Sequence, residues 1–574
     1  MPDGALAASK RMLLSQAIGD FVEPGMQLCF ASTPGRSNAA IVEICRQFRG
    51  RKPEFALAAT GFHSLAHLLG ALRLGRRYSA CFFGDNYPTP RSHRLYGRLL
   101  EEGYELEHWS LWSYVSALAA GAFGHPYAFT RSLAGTSLGA ALAERGKLIE
   151  VPDPVQPGRS LSMVQAIVPD ITFLHAPLAD AQGNVAFSPP FGEGFYGALA
   201  ARAGAIVTVE RIVPSEVLRS MPHWRPLPAH RVLAVCEAPF GAHPQPLYVA
   251  PEELRRHEPG YGDDYAGYGR WRAIAEEPAQ LAAFCDDVLV APDAGRAYRA
   301  FIGGAKLEAL RAPAPVASPV ALPWDQLEPS DDLVLLAGRA LCRRLVQGGY
   351  RALLAGIGQA FSACRLAKLL LGERAAGVEL MVETGFAGLD VQQADPFLLS
   401  SRNVASSERL TGIDSMLGAL CCGGASACIG VIGAAEVDLE GNVNSTIVDG
   451  ELLVGGGGAP DIAACAREVM VLTRADPRRL VRQVQYCTSR GLNVRTIVTE
   501  SCVFERSGPG EPWIVQEILA SRVHGLTELL QKSGFRFAIP GPPPLAPPAS
   551  ERELELLGAL RFDAGSRGKE ARGG

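Results

Sequence analysis

Glu383 stands where a strand pattern stops. In Gly377-Val-Glu-Leu-Met-Val-Glu-Thr-Gly-Phe386, Val378, Leu380 and Val382 alternate with Glu379 and Met381, the period of a strand entering a sheet. Thr384-Gly385 ends it, and Gly385 permits backbone angles a side chain would forbid. A carboxylate is therefore expected at a strand end, where open α/β sheets bind ligands. By itself the segment fits a solvated loop glutamate equally well. A second stretch, Gly455-Gly-Gly-Gly458-Ala-Pro-Asp461, follows the apolar Leu452-Leu453-Val454 and precedes an expected helix from Asp461. It lacks the Lys-Ser/Thr of a P-loop. Consecutive glycines can turn N–H groups toward an anionic or developing-anion oxygen, or simply make a surface turn. A third, Leu439-Glu-Gly-Asn442-Val-Asn444-Ser-Thr446, offers polar donors that serve a ligand or ordinary Asx turns.

Two other motifs point elsewhere only weakly. Gly135-Thr-Ser137-Leu-Gly139 fits a nucleophile elbow, but Arg131 interrupts the preceding segment, where that elbow needs a buried strand. Ser137 reads better as a loop or helix-start residue. Gly356-Ile-Gly358 begins a dinucleotide fingerprint, yet Phe361 occupies the third glycine position, and a tight βα turn explains it. No metal site is expected. The 13 cysteines include no C-x-x-C pair, and of the 11 histidines only His524 lies in the last third.

The elements that would hold these residues recur as βα units. A helix after residue 10, a turn at Glu23-Pro24-Gly25 and a strand at Met26–Phe30 lead through Pro34-Gly35 to a helix at Ala39–Phe48. Further strands are expected at Ile171–Leu174, Ala205–Val209 and Arg231–Cys236. The alternation indicates an α/β fold with a largely parallel sheet. Residues 311–329, with prolines at 313, 315, 319, 323 and 329, read as an extended linker. Beyond it come a helix at Leu333–Gln347 capped by Ser330 or Asp331, a strand at Ala352–Leu354, a helix at Phe361–Leu371 and the Glu383 strand. The tail ends in a short helix and a Gly/Arg/Lys-rich end.

The halves echo one another. Asp180-Ala-Gln-Gly-Asn-Val185 matches Asp438-Leu-Glu-Gly-Asn-Val443 at an offset of 258. Ala201-Arg202 and Ala466-Arg467 each precede an apolar strand. Offsets of that size indicate duplicated domains rather than a solenoid.

Of 574 residues, 48% are hydrophobic and 20% charged, with a net charge of −4. That is an ordinary globular balance with no basic patch to suggest nucleic acid. No apolar run of about 18 residues suggests a membrane span, and the first residues are not expected to act as a signal peptide. A cytoplasmic location with reduced thiols is expected.

Taken together, the chain resembles the family I CoA transferases, glutaconate CoA-transferase most of all. The first half resembles the family's α chain in Glu43–Gln47, Thr130–Thr136, His175-Ala176 with Asp180–Val185, Val207–Glu216 and Pro239–Pro244. The second resembles the β chain in Val382–Gly385, Gly441–Thr446 and Gly455–Asp461. The resemblance implies two tandem duplicated domains, each a largely parallel sheet flanked by helices. These are 1–310 (α-like), the linker 311–329, and 330–574 (β-like) carrying a catalytic Glu383. It implies that Glu383 attacks an acyl-CoA, giving a mixed anhydride and then a glutamyl-CoA thioester. Gly456, Gly457 and Gly458 become oxyanion or CoA-binding candidates, and Asn444 a contact to CoA or the carboxylate. The loop Phe30-Ala-Ser-Thr-Pro34-Gly35-Arg36 departs from the paired glycines common in α-type chains. Ser32 and Arg36 are candidate substrate contacts, Arg36 facing either solvent or a distal carboxylate of the acyl group. No permanently bound cofactor is expected; CoA is substrate and covalent intermediate. The implied partners are an acyl-CoA and a small carboxylate, without nucleic acid or membrane, in a homodimer. Hydrolysis or carbon–carbon cleavage of a CoA ester on the same fold, and plain acyl-CoA binding, are the alternatives.

Overall fold

The computed structural model describes residues 9–312, 326–523, 529, 532–539, 541–542 and 545–561. The linker prolines 313, 315, 319 and 323, His524 and the end from residue 562 lie outside the described residues.

Each half is built on its own sheet. In the first, β1 (Gln27–Phe30), β2 (Phe55–Ala59), β3 (Gly75–Ala80), β4 (Glu105–His108), β5 (Ile171–Ala179), β6 (Gly204–Ile212) and β7 (Val232–Glu237) lie in the order β7-β6-β5-β1-β2-β3-β4. Every pair along that path is parallel. All nine residues of β5 are buried, as a parallel strand covered on both faces requires. In the second, β8 (Ala352–Ala355), β9 (Glu379–Val382), β10 (Phe386–Ala387), β11 (Arg409–Leu410), β12 (Cys428–Gly433), β13 (Glu468–Leu472) and β14 (Val494–Val498) run in the order β11-β10-β9-β8-β12-β13-β14. Strands β9 to β14 along that path are parallel, and antiparallel strands extend the sheet beyond β14.

The repeat is visible in both order and detail. The sequence β6-β5-β1-β2 in one sheet corresponds to β13-β12-β8-β9 in the other. The two Asp-x-x-Gly-Asn turns close alike. Asp180 Oδ1 accepts the Asn184 N–H at 2.9 Å, and Asp438 Oδ1 the Asn442 N–H at 2.9 Å. The Asn Nδ2 donates to the other carboxylate oxygen at 2.7 and 3.1 Å. Gly183 and Gly441 have φ of +92° and +76°, which explains glycine at the fourth position of both turns.

After the linker, α1 (Pro329–Gly348) starts four residues earlier than its apolar pattern. Its N-cap is Glu328, not Ser330 or Asp331. Proline is well placed in the first turn, and Asp331 Oδ2 accepts the Glu328 N–H at 2.8 Å. α2 (Gln359–Leu371) follows the Gly356–Gly358 turn. The tail helix α3 (Glu551–Leu560), capped by Ser550, packs Leu556, Leu557 and Leu560 against Val334, Leu335 and Leu366.

Three apolar cores hold the molecule. One is built from the first half and one from the second. The third joins Cys81, Trp109, Leu111 and Tyr114 of the first half to Met381, Met416, Leu417 and Ile462 of the second. Backbone also crosses between halves: Phe83 N–H donates to the Val454 carbonyl at 2.7 Å and Phe191 N–H to the Thr411 carbonyl at 2.6 Å. No helix among the described residues is long and apolar enough to cross a membrane.

Candidate active site

β9 ends at Val382, and Glu383-Thr384 form a turn closed by the Gly385 N–H on the Val382 carbonyl at 3.1 Å. β10 then returns antiparallel, pairing Phe386 with Val382. Gly385 has φ +112°, and a Cβ there would lie 2.8 Å from Gly412 Cα. Backbone angle and close approach both demand glycine.

The turn presents Glu383, partly buried, to the glycine loop. Gly458 is the nearest part of that loop: a Cβ built on it would overlap Glu383 Oε2 and lie 3.1 Å from Cδ. Burial, reinforced by the charge of Asp461, lifts the Glu383 carboxyl from 4.5 to about 7, and a backbone hydrogen bond from Gly458 partly offsets this. Among the described residues Glu383 forms no ion pair. Asp461, wholly buried, accepts from Ser110 Oγ at 2.7 Å and from the Trp112 N–H at 2.9 Å. Burial lifts its carboxyl to about 6 against these donors.

The rest of the glycine loop is tied to the first half. Gly457 N–H donates to the Cys81 carbonyl at 3.1 Å, and its own carbonyl accepts the Leu111 N–H at 2.9 Å. Its amide is therefore engaged, and Gly458 is the glycine set against the carboxylate. A Cβ on Gly456 would meet Pro460 and Thr488. Asn444 does not line the site. It is fully buried, its Nδ2 donating to Glu436 at 2.7 Å and to the Ile447 carbonyl at 2.6 Å while its Oδ1 accepts the Thr446 N–H at 3.1 Å. It closes its own turn, the Asx alternative that such a residue always offers.

Beside Glu383, a cleft of about 760 Å³ including its open mouth lies between the halves. Ser32 to Arg36, His63, Tyr248 and Tyr268 line it from the first half, and Thr384, Phe386, Phe397 and Leu399 from the second. The strand ends of β1, β2 and β9 thus converge on one crevice, as the rule for open α/β sheets anticipates. Arg36 Nη2 donates to His63 Nε2 at 2.6 Å. Burial and the Arg36 charge hold that imidazole far below its usual range, while burial lowers Arg36 to about 10. Among the described residues Arg36 forms no ion pair. Across the cleft Asp263 is held by the Ser401 N–H at 2.9 Å, Ser401 Oγ at 2.7 Å and Tyr268 OH at 2.7 Å, and burial raises its carboxyl.

The Ser32–Arg36 loop is clamped from beneath. Buried Glu193 accepts the Ser32 N–H at 2.7 Å and bonds Thr33 Oγ1. Ser32 Oγ accepts the Thr60 N–H at 3.1 Å and donates to the Phe30 carbonyl at 3.2 Å, so this hydroxyl supports the loop. A Cβ on Gly192 would overlap the Thr33 carbonyl. Nothing in the sequence singles out Glu193, His63 or Asp263. The one local sign is a carboxylate between two glycines, Gly192-Glu-Gly194, and no local pattern ties it to residues about 160 positions away.

Ser137 begins the helix Ser137–Glu144, its Oγ accepting the Cys487 N–H at 2.9 Å. That is a helix-start role, with no buried strand before it. All thirteen cysteines are free. No group of three or more His, Cys, Asp or Glu among the described residues is arranged to hold a metal ion.

The Coenzyme A transferase family model matches residues 11–237 and 416–547, in both halves. The chain belongs to that family. Glu383 lies between the matched segments. The first of the two polypeptides of a 3-oxoadipate CoA-transferase from Pseudomonas knackmussii is 31% identical over 285 residues, 48% of this chain and 93% of that protein. An uncharacterised protein from Archaeoglobus fulgidus is 31% identical over 245 residues, 41% of this chain, and the match spans about half (52%) of its own length. In fold, the apoenzyme of an acyl-CoA transferase from Escherichia coli O157:H7 superposes with a TM-score of 0.65 at 16% identity, covering 96% of this chain and 97% of that one. The same enzyme, solved as a thioester complex with CoA, gives the same TM-score and identity, covering 96% of each chain. Fused α-like and β-like halves fit a family match in two segments, with the duplicated α/β architecture expected from the sequence.

Proposed function

We propose that this CoA transferase moves CoA from an acyl-CoA to a free carboxylate through covalent intermediates on Glu383. The observation that carries the reading is a partly buried carboxylate with no ion pair among the described residues, at a cleft between the halves. Such a carboxylate costs stability, and groups of that kind concentrate at functional sites.

In the first step a Glu383 carboxylate oxygen attacks the thioester carbonyl. The C–S bond breaks, leaving an acyl-glutamyl anhydride and CoA thiolate. The thiolate then attacks Glu383 Cδ, the acyl carboxylate departs, and a glutamyl-CoA thioester remains. An incoming carboxylate attacks that thioester, expelling the thiolate. The thiolate finally attacks the new acyl carbonyl and returns Glu383 as a carboxylate. One negative charge passes from Glu383 to sulfur to the departing carboxylate and back. No general base is needed, because Glu383 attacks as its anion. The Gly458 amide is the candidate donor to an oxygen on Glu383 Cδ as the thioester forms.

The acyl group is proposed to carry a second carboxylate. Arg36 is half-buried in the cleft, its charge met at short range by a neutral imidazole. A distal carboxylate would complete it, in line with the dicarboxylic name of the Pseudomonas relative.

The test is incubation with an acyl-CoA, with and without a carboxylate acceptor, followed by borohydride reduction and peptide mapping. Acceptor-dependent exchange with modification at Glu383 supports the proposal. Acceptor-independent CoA release would mean a hydrolase, and labelling at another residue would displace Glu383.

A further inference from the structure

The reaction above uses one carboxylate, but the site contains two. Asp461 is 0% exposed and lies three residues beyond Gly458, in the first turn of the helix Ala459–Cys465. Both of its oxygens face the first half, Oδ1 on Ser110 Oγ at 2.7 Å and Oδ2 on the Trp112 N–H at 2.9 Å. The Ser132 side chain adds a further donor. Among the described residues no lysine, arginine or histidine pairs with it. The nearest other titratable groups supply no compensating charge. Cys81, Cys422 and Cys465 are thiols pushed upward, Cys81 chiefly by burial. Glu193 is another buried carboxyl. Arg131 is turned to Asp153 at 2.9 Å. A fold that only needed an acceptor for Ser110 and Trp112 would be served by a neutral amide or a water. Instead a full charge is buried behind the loop that contacts Glu383.

We propose that Asp461 is a positioning residue for the exchange: its fixed negative charge, held by the first half, raises the energy of the Glu383 carboxylate and so favours the covalent forms in which that charge has departed. The inference rests on Glu383 being the nucleophile. Its logic is a charge count. In the free enzyme both carboxylates are anionic and share one low-dielectric region. In the anhydride and the thioester Glu383 is neutral, and the charge has left with CoA thiolate or the released carboxylate. Repulsion present only in the free enzyme lifts that state relative to the acylated one, much as paired carboxylates in one site resist joint ionisation. The same repulsion raises the basicity of Glu383, where Asp461 is the largest influence after burial. Because Asp461 is fixed by first-half donors, the effect operates only when the two halves are joined.

The experiment compares wild type, Asp461→Asn and Ser110→Ala as full-length chains, each checked by thermal melting. At a fixed ratio of acyl-CoA to free carboxylate, the thioester-bound fraction of enzyme and the pH midpoint of thioester formation are measured. Asp461→Asn is expected to lower the ratio of thioester to free enzyme about tenfold, the effect of one pKa unit, and to move the midpoint to lower pH. Ser110→Ala removes a hydrogen bond while keeping the charge, and its midpoint should stay near wild type. A normal thioester ratio and midpoint in Asp461→Asn would overturn the proposal, as would an equal midpoint shift in Ser110→Ala. Should Asp461→Asn fail to fold, wild-type protein labelled with 13C at aspartate gives a second readout. The buried Asp461 carboxyl should titrate at lower pH once Glu383 carries CoA, and an unchanged titration would overturn the idea. Absence of thioester in wild type would instead sink the assignment of Glu383 itself.

Discussion

Gly458 and Glu383 occupy the same space: the position a Cβ would take on Gly458 is filled by Glu383 Oε2. Gly458 has φ −88° and ψ −1°, angles any residue accepts. Glycine is therefore required for room and not for backbone freedom. Gly458→Ala should leave the melting temperature within a few degrees of wild type and reduce exchange by on the order of 10²–10³, the loss typical of one disturbed oxyanion donor. Near-normal kcat/KM would mean that the carboxylate is not held against this loop during turnover.

Glu383→Gln should abolish exchange and stabilise the fold. Lifting a carboxyl from 4.5 to about 7 corresponds to ~3 kcal/mol at neutral pH as an upper bound, at about 1.36 kcal/mol per pKa unit. Partial exposure reduces it. Chemical denaturation at pH 8 would read the gain; a less stable variant would show the carboxylate to be structural.

The same shift fixes two pH dependences. Between about 4.5 and about 7 the native state binds the Glu383 proton more tightly than the unfolded chain. This group's contribution therefore lowers stability as pH rises through that window. The slope should flatten in Glu383→Gln. Exchange requires the anion, so kcat/KM should rise through about pH 7 and level off above it. A profile already flat from pH 5 would contradict a raised carboxyl.

Arg36→Gln should separate substrates. If Arg36 meets a distal carboxylate, kcat/KM for a dicarboxylic acyl-CoA should fall by on the order of 10², at the lower end of what a lost buried charge partner costs. A monocarboxylic acyl-CoA of similar length should change little. Equal losses for both would mean that Arg36 shapes the loop through His63 rather than reading the acyl group.

Cutting the chain near Ala317 tests the join. Co-expressed 1–317 and 318–574 should assemble and exchange CoA, because the backbone pairing of Phe83 with Val454 and Phe191 with Thr411 does not depend on the linker. The core shared by Trp109, Tyr114, Met416 and Ile462 predicts that either fragment alone exposes apolar surface and aggregates. The sequence pattern by itself suggests two separately soluble halves, since periodicity reports which residues are buried but not which half buries them. A soluble, fully active 318–574 would refute the composite site.

The same limit explains what the sequence discloses of the site. Alternation in Val378–Val382 and the break at Thr384-Gly385 put Glu383 at a strand end, and the βα rhythm indicates the parallel sheets, because both are local patterns. The glycine loop is legible as a close approach, though not as an approach to the first half. Asn444 is misplaced by sequence reasoning because an asparagine in a turn offers a ligand and its own backbone the same donors. Glu193 and Asp461 act across 160 and 351 positions on Ser32, Thr33 and Ser110, and no periodicity records such distances.

The paired Asp-x-x-Gly-Asn turns and matched strand orders make the halves copies of one plan, yet their strand ends differ. After β9 stands Glu383; after the corresponding β2 stands Thr60, whose N–H is tied to Ser32 Oγ. Threonine lacks the carboxylate, so duplication has left one reactive position, with the other copy serving as its wall. The stoichiometry follows: saturating acyl-CoA should load one equivalent of covalent CoA per 574-residue chain, not one per domain.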